Sequence, residues 1–208
     1  MRREHKNIEE VVPFRESLVF YAPLAQGDLS DHISGVIPTS DTDCGYLWNQ
    51  SVNMYELYSN KTWGGALIYE GLNMGLQDNH DITLAIDVSE ISFSGNRYAS
   101  MIGCPRWNST VTSDGTMYIC HYRYNTSYTP MTDLNRYVVT FTSTGIGKWY
   151  RNGSLVLSSP NWNNHTRWFS FNQVTLCLNP NNCYKYRIYA KNARVYNRAL
   201  NDSEVAIL

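Results

Sequence analysis

Two tryptophans stand where an aromatic ring could do binding chemistry. Trp107 lies in Cys-Pro-Arg-Trp-Asn-Ser and Trp162 in Pro-Asn-Trp-Asn-Asn-His, each among turn formers and amides. A sugar ring offers an apolar C–H face to an aromatic side chain. Asn108, Asn163 and Asn164 carry both donors and acceptors suited to its hydroxyls. Exposed aromatics among amides on loops suit a recognition surface. The alternative is that each ring folds back to plug one end of a β-sandwich. Trp48, Trp63, Trp149 and Trp168 are expected to pack in the interior.

A second set of residues could hold a cation. Asp28 and Asp31 share one turn-rich stretch, and Asp41 and Asp43 another. Ca²⁺ takes six to eight oxygen ligands, so four carboxylates would serve if the two loops met. Asp also caps turns with its own side chain, which is the competing use. No other cofactor is implied.

Catalytic patterns are missing. A retaining glycosidase needs two carboxyl groups about 5–5.5 Å apart. Asp87 and Glu90 are three apart and would face opposite sides of a regular strand. There is no Gly-x-Ser-x-Gly, His-Glu-x-x-His or phosphate-cradling glycine loop. The expectation is a binding protein and not an enzyme.

Those residues need a scaffold, and its composition points to strands. Of 208 residues, 43% are hydrophobic and only 17% charged, with 16 Tyr and 6 Trp. Aromatic and β-branched residues fit the pleated surface. The net charge of −1 and the lack of a basic run disfavour a nucleic-acid partner. No stretch reaches the roughly 18 apolar residues of a membrane helix.

Strands are expected at 18–24, 66–69, 82–91, 97–104, 116–124, 137–142, 169–178 and 184–196. The clearest alternates Ile82, Leu84, Ile86 and Val88 against Thr83, Ala85 and Asp87. Asn152-Gly153 predicts a type I′ hairpin, since both residues accept positive φ. That turn would pair Tyr150 with Leu155 and Trp149 with Val156. Near the C-terminus, Asn201 and Glu204 have the spacing of a helix capping box. Many short strands with one terminal helix imply an antiparallel sandwich.

Residues 1–12 read as a polar arm or linker and 13–208 as one domain. The opening Met-Arg-Arg-Glu-His-Lys has no apolar run behind it and does not read as a secretory signal. Localisation stays open among retention in the cell, a removed signal and assembly into a particle. Five cysteines favour free thiols, although Cys177 and Cys183 could face each other across a hairpin. Seven Asn-x-Ser/Thr sequons occur, but 21 Asn make many of them accidental. Tyr118, Tyr122 and Tyr124 could share a concave face with Tyr184, Tyr186 and Tyr189, or simply pack across strands.

Four segments together resemble laminin-G-like domains of the concanavalin A-like lectin and glucanase superfamily. They are Leu18-Val-Phe-Tyr-Ala-Pro-Leu with Asp28, Asp31 and Ser34-Gly35; Asp81-Ile-Thr-Leu-Ala-Ile-Asp-Val; Arg136-Tyr-Val-Val-Thr-Phe with Lys148-Trp-Tyr-Arg-Asn-Gly-Ser-Leu-Val; and Ala193-Arg-Val-Tyr-Asn-Arg-Ala-Leu-Asn-Asp-Ser-Glu-Val. They fall in the family's order and span about residues 17–207. The resemblance implies an all-β jelly-roll sandwich of two antiparallel sheets with a short C-terminal helix. It implies binding of glycans, surface proteins or lipids, and some relatives hold Ca²⁺. A polar arm on a lectin-like domain also resembles bacteriophage decoration, fibre or tail proteins, whose partners are capsid or tail proteins. A domain of a secreted bacterial surface protein is a third reading.

Overall fold

The computed structural model describes residues 12–60, 64–76, 81–94, 99–103, 109–111, 116–119, 122–125, 133–159, 172–179 and 185–208. The arm proposed for residues 1–12 lies almost wholly outside them. The described strands are β1 Leu18–Ala22, β2 Cys44–Asn49, β3 Met54–Ser59, β4 Gly64–Glu70, β5 Ile82–Ser94, β6 Ala99–Gly103 and β7 Ser109–Val111. They continue with β8 Thr116–Ile119, β9 Tyr122–Asn125, β10 Asn135–Phe141, β11 Gly147–Arg151, β12 Ser154–Ser159, β13 Gln173–Asn179 and β14 Lys185–Tyr196. One helix, α1 Asp202–Ala206, follows.

The protein is an all-β sandwich. The larger sheet has the order β12-β11-β10-β5-β14-β3-β2, with β1 also paired to β14. The smaller has the order β4-β13-β6-β7-β8-β9. Each described pairing is antiparallel. The long β14 carries β3 along its first half and β1 along its second.

Strand alternation builds the core between the sheets. Ile82, Leu84, Ile86 and Val88 of β5 join Tyr137, Val139 and Phe141 of β10 and Ile188, Ala190, Ala193 and Val195 of β14. Ala66, Leu67, Tyr69, Val174 and Leu176 answer from the smaller sheet. Each large apolar side chain removed from water stabilises by about 1.5–3 kcal/mol. A second, smaller cluster lies on the outer face of the larger sheet. There Leu18, Tyr21, Ala85, Val138, Tyr150 and Tyr196 are roofed by Leu200, Val205 and Leu208.

The hairpin turn forms as its residues demand, with Asn152 at φ 49° and Gly153 at φ 78°. Tyr150 pairs with Leu155 as expected. Trp149 instead pairs with Leu157, because a bulge between Trp149 and Tyr150 absorbs an extra residue on β12. The capping box also forms, with the Asn201 side chain accepting from the Glu204 amide and the Glu204 side chain accepting from the Asn201 amide.

Some strands differ from those expected. The single strand at 116–124 is two, β8 and β9, paired as a hairpin. The β2–β3 hairpin and the short β7 were not foreseen. The Tyr groups at 118–124 and 186–189 do not share a sheet, since β8 and β9 belong to the smaller and β14 to the larger.

Candidate functional site

Trp107, Asn108, Trp162, Asn163 and Asn164 lie outside the described residues. Two of the strands that bracket them, β6 and β13, are neighbours in the smaller sheet. The chain leaves β6 at Gly103, whose partner is Thr175, two residues past the start of β13 at Gln173. Of the other tryptophans, Trp149 is fully buried and Trp48 packs edge-on against Tyr55 at 5.0 Å. Trp63 and Trp168 are outside the described set, as is Cys183. Its possible mate Cys177 is buried, which pushes its thiol well above the usual range.

Three of the four aspartates already accept hydrogen bonds from nearby backbone and side chains. Asp31 is fully buried and already serves as acceptor for its own chain. Its Oδ1 accepts from the Tyr21 amide at 2.8 Å and the Ile33 amide at 3.2 Å. Its Oδ2 accepts from the amide and hydroxyl of Ser34. Asp28 accepts from the Ser30 amide and hydroxyl and pairs with His32 at 2.7 Å. Desolvation pushes the Asp28 carboxyl up, but those hydrogen bonds outweigh it and leave the pKa lowered. Asp41 caps the start of β4 by accepting from the Gly65 amide at 2.8 Å. Asp43 is an exposed turn residue at φ 64°. Among the described residues no three His, Cys, Asp or Glu converge on a possible metal position. The donors nearby are amides and hydroxyls of the same loops, so the carboxylates cap turns.

Asp87 is likewise structural. It is buried and receives Arg136 Nε at 2.7 Å, Arg136 Nη2 at 3.1 Å and Asn192 Nδ2 at 3.0 Å. Three charge-assisted bonds tie it to its neighbours on the sheet.

A surface with recognition chemistry lies elsewhere, where β2, β3 and β14 adjoin on the outer face of the larger sheet. Glu56 of β3 pairs with Arg187 of β14 at 3.0 Å. Its other oxygen accepts from the Tyr189 hydroxyl at 3.2 Å, and that hydroxyl accepts from Asn49 Nδ2 at 3.2 Å. Glu56, Tyr189, Asn49 and Tyr58 are half-buried, while Arg187 and Leu47 are exposed. Gly45 lets the Tyr58 ring lie across β2, since a Cβ there would come within 2.9 Å of the hydroxyl and 3.1 Å of a ring carbon. Two tyrosine rings, a guanidinium, a carboxylate and an amide therefore share one face. Such a set can stack on an apolar ring face and hydrogen-bond hydroxyls around it. Sequence reading missed this group because β2 and β3 went unassigned. The signal was present in Met54-Tyr-Glu-Leu-Tyr-Ser, where Tyr55 and Leu57 alternate with Glu56 and Tyr58.

No protein-family sequence profile matches the chain, and no curated protein matches it. Solved structures do resemble it. The binding domain of botulinum neurotoxin DC in complex with rat synaptotagmin II matches 92% of this chain at 15% identity, with a TM-score of 0.65. A structure of botulinum neurotoxin type C, whose cell entry is dependent upon interaction with two ganglioside molecules, matches 92% at 15% identity and TM-score 0.64. The binding domain of Paraclostridial Mosquitocidal Protein 1 matches 92% at 14% identity and TM-score 0.65. The chain spans about half the length of each, 51%, 50% and 51% respectively. At these identities the likeness is one of fold.

Proposed function

We propose that this chain is a non-enzymatic recognition module, laminin-G-like in kind, that binds a glycan or a glycan-bearing cell-surface receptor. The observation that carries the reading is the match of 92% of the chain to binding domains of known structure. One matched structure is a complex with rat synaptotagmin II, and another comes from a toxin whose cell entry depends on interaction with two ganglioside molecules. The match covers half of each neighbour, so the ligand here is argued from this chain's own surface. The Tyr58, Tyr189, Arg187, Glu56 and Asn49 group has the composition of a glycan contact, with ring faces flanked by directional polar groups. It sits on strands rather than loops, so its geometry is preorganised. Trp107 and Trp162, with Asn108, Asn163 and Asn164, form a second contact in the same reading.

The test is a glycan array probed with the full chain, followed by titration of the strongest hits and by staining of glycan-bearing cells. Tyr58→Ala and Arg187→Ala are expected to weaken binding about tenfold or more, the loss of one stacking or charge-assisted contact. Trp107→Ala and Trp162→Ala test the loop contact in the same way. An array without hits together with unstained cells overturns the function. Hits indifferent to all four substitutions overturn the sites.

A further inference from the structure

The outer face of the larger sheet holds a buried guanidinium two of whose nitrogens find no hydrogen-bond partner among the described residues. Arg194 is 4% exposed, and its Nε and Nη1 find no hydrogen-bond acceptor. Two residues on, Tyr196 is fully buried, and its hydroxyl has no partner of hydrogen-bonding geometry although it lies beside that guanidinium. Strand alternation puts both side chains on the same face. The guanidinium carbon lies 5.7 Å from the centre of the Tyr21 ring, so one face of Arg194 rests on an aromatic surface.

Nearby arginines are matched and this one is not. Arg136 is neutralised by Asp87 through two hydrogen bonds. Arg198 is neutralised by Glu204 at 2.7 and 2.8 Å. Burial raises the pKa of the Tyr196 hydroxyl, while Arg194, Arg136 and Arg198 pull it back down, which places one hydroxyl in the field of three guanidiniums. A buried guanidinium without an acceptor is among the costliest arrangements a fold can keep. The folds that keep one commonly use it to receive an anion.

We propose that Arg194 and Tyr196 form a subsite for one small oxyanion, the carboxylate, sulfate or phosphate of an acidic ligand. The guanidinium supplies charge and N–H donors, and the tyrosine supplies an O–H donor. The Tyr21 ring backs the guanidinium. This site is separate from the Tyr58 and Tyr189 surface, so it stands or falls independently of the glycan reading.

The experiment is a thermal-shift and calorimetric titration of the full chain with sodium sulfate and sodium phosphate, against sodium chloride at matched ionic strength. An N-acetylneuraminic acid arm distinguishes a sugar-borne carboxylate from a free inorganic ion. The wild type is expected to show a saturable rise in Tm, whereas Arg194→Met shows only the linear, non-saturating rise that sulfate gives any protein. Tyr196→Phe is expected to weaken the saturable component about tenfold, the loss of one hydrogen bond to a charged group. In chloride, Arg194→Met should melt at or above the wild type, because an unmatched buried charge has been replaced by an apolar chain. No saturable shift with any of the three anions, or an equal shift in Arg194→Met, overturns the proposal. If Arg194→Met does not fold, Tyr196→Phe decides, and unchanged affinity in that variant overturns it.

Discussion

The larger sheet buries its inner face and part of its outer face, by different means. Its inner face is made of hydrocarbon and aromatic rings meeting the smaller sheet. Its outer face is roofed by the C-terminal residues and threaded with polar groups that find distant partners. The Thr83 hydroxyl donates to the Arg198 carbonyl at 2.8 Å and accepts from the Leu200 amide at 2.9 Å. Asp87 gathers Arg136 and Asn192, and Asp202 gathers Lys148 and Tyr150. An apolar face tolerates any well-packed partner, whereas a polar face tolerates only partners that satisfy its groups. The inner face therefore supplies most of the stability. The outer face fixes where the terminal segment docks, and its unmatched Arg194 is the place where that rule is broken.

The sharpest way to separate the faces is to remove one anchor from each. Trp149 is fully buried on the inner face. Trp149→Ala should cost about 3–5 kcal/mol, through lost transfer energy and the cavity left behind. Asp87→Ala should cost about 3 kcal/mol, because it strands the Arg136 guanidinium and the Asn192 amide. Urea unfolding followed by circular dichroism measures both. An Asp87→Ala variant as stable as the wild type would show that the outer polar network contributes nothing.

The contrast also explains what could be read from the chain. The inner face was legible because period-two alternation in Ile82-Thr-Leu-Ala-Ile-Asp-Val is a local signal, and the Asn152-Gly153 turn and the Asn201/Glu204 cap are local too. The bulge that moves Trp149 from Val156 to Leu157 was not legible, since nothing in Ser-Leu-Val-Leu marks an extra residue. The β2–β3 hairpin was hidden because its connection, Gln-Ser-Val-Asn, lacks a strong turn pair; Asn53 takes positive φ without a glycine beside it. The aspartates were ambiguous for a different reason. Capping and chelation need the same carboxylates at the same spacings, and only the Tyr21, Ile33, Ser34 and Gly65 donors decide between them. The Glu56, Arg187 and Tyr189 group joins residues more than 130 positions apart in sequence, as does the pairing of β14 with β3 that creates it.

The hairpin tip offers a smaller, more local break in the outer face. Gly153 sits at φ 78°, and a Cβ there would lie 2.9 Å from Ala206 Cα and 3.2 Å from its carbonyl oxygen. Both atoms are backbone of α1 and cannot swing aside. Gly153→Ala should therefore cost about 1–3 kcal/mol, from positive φ and from pushing the helix off the hairpin. Asn152→Gly should cost less, about 1 kcal/mol. It keeps the turn but loses the bonds from the Arg136 amide at 2.8 Å and to Asn135 Oδ1 at 2.9 Å. If chemical denaturation ranks Asn152→Gly as the worse of the two, the hairpin–helix contact is not what holds the tip.

The gentlest probe of the outer face is acid. Asp202 accepts from Lys148 Nζ at 2.6 Å and from the Tyr150 hydroxyl at 2.7 Å, and the Lys148 bond is the main reason its pKa is lowered. Glu204 has its pKa lowered chiefly by the Arg198 hydrogen bonds. Both carboxyls titrate below their ordinary values of 3.8 and 4.5 when folded. The stability they add is complete above those values and is lost as the pH falls through the lower folded ones. Melting temperature should thus hold steady from pH 7 to about 5 and fall below about 4.5. The double variant Asp202→Asn, Glu204→Gln should fall less steeply over that acid limb while starting slightly lower at pH 7. Asp202 is largely exposed, so the difference between the two proteins should shrink in high salt. Parallel acid limbs would assign the acid response to other carboxylates.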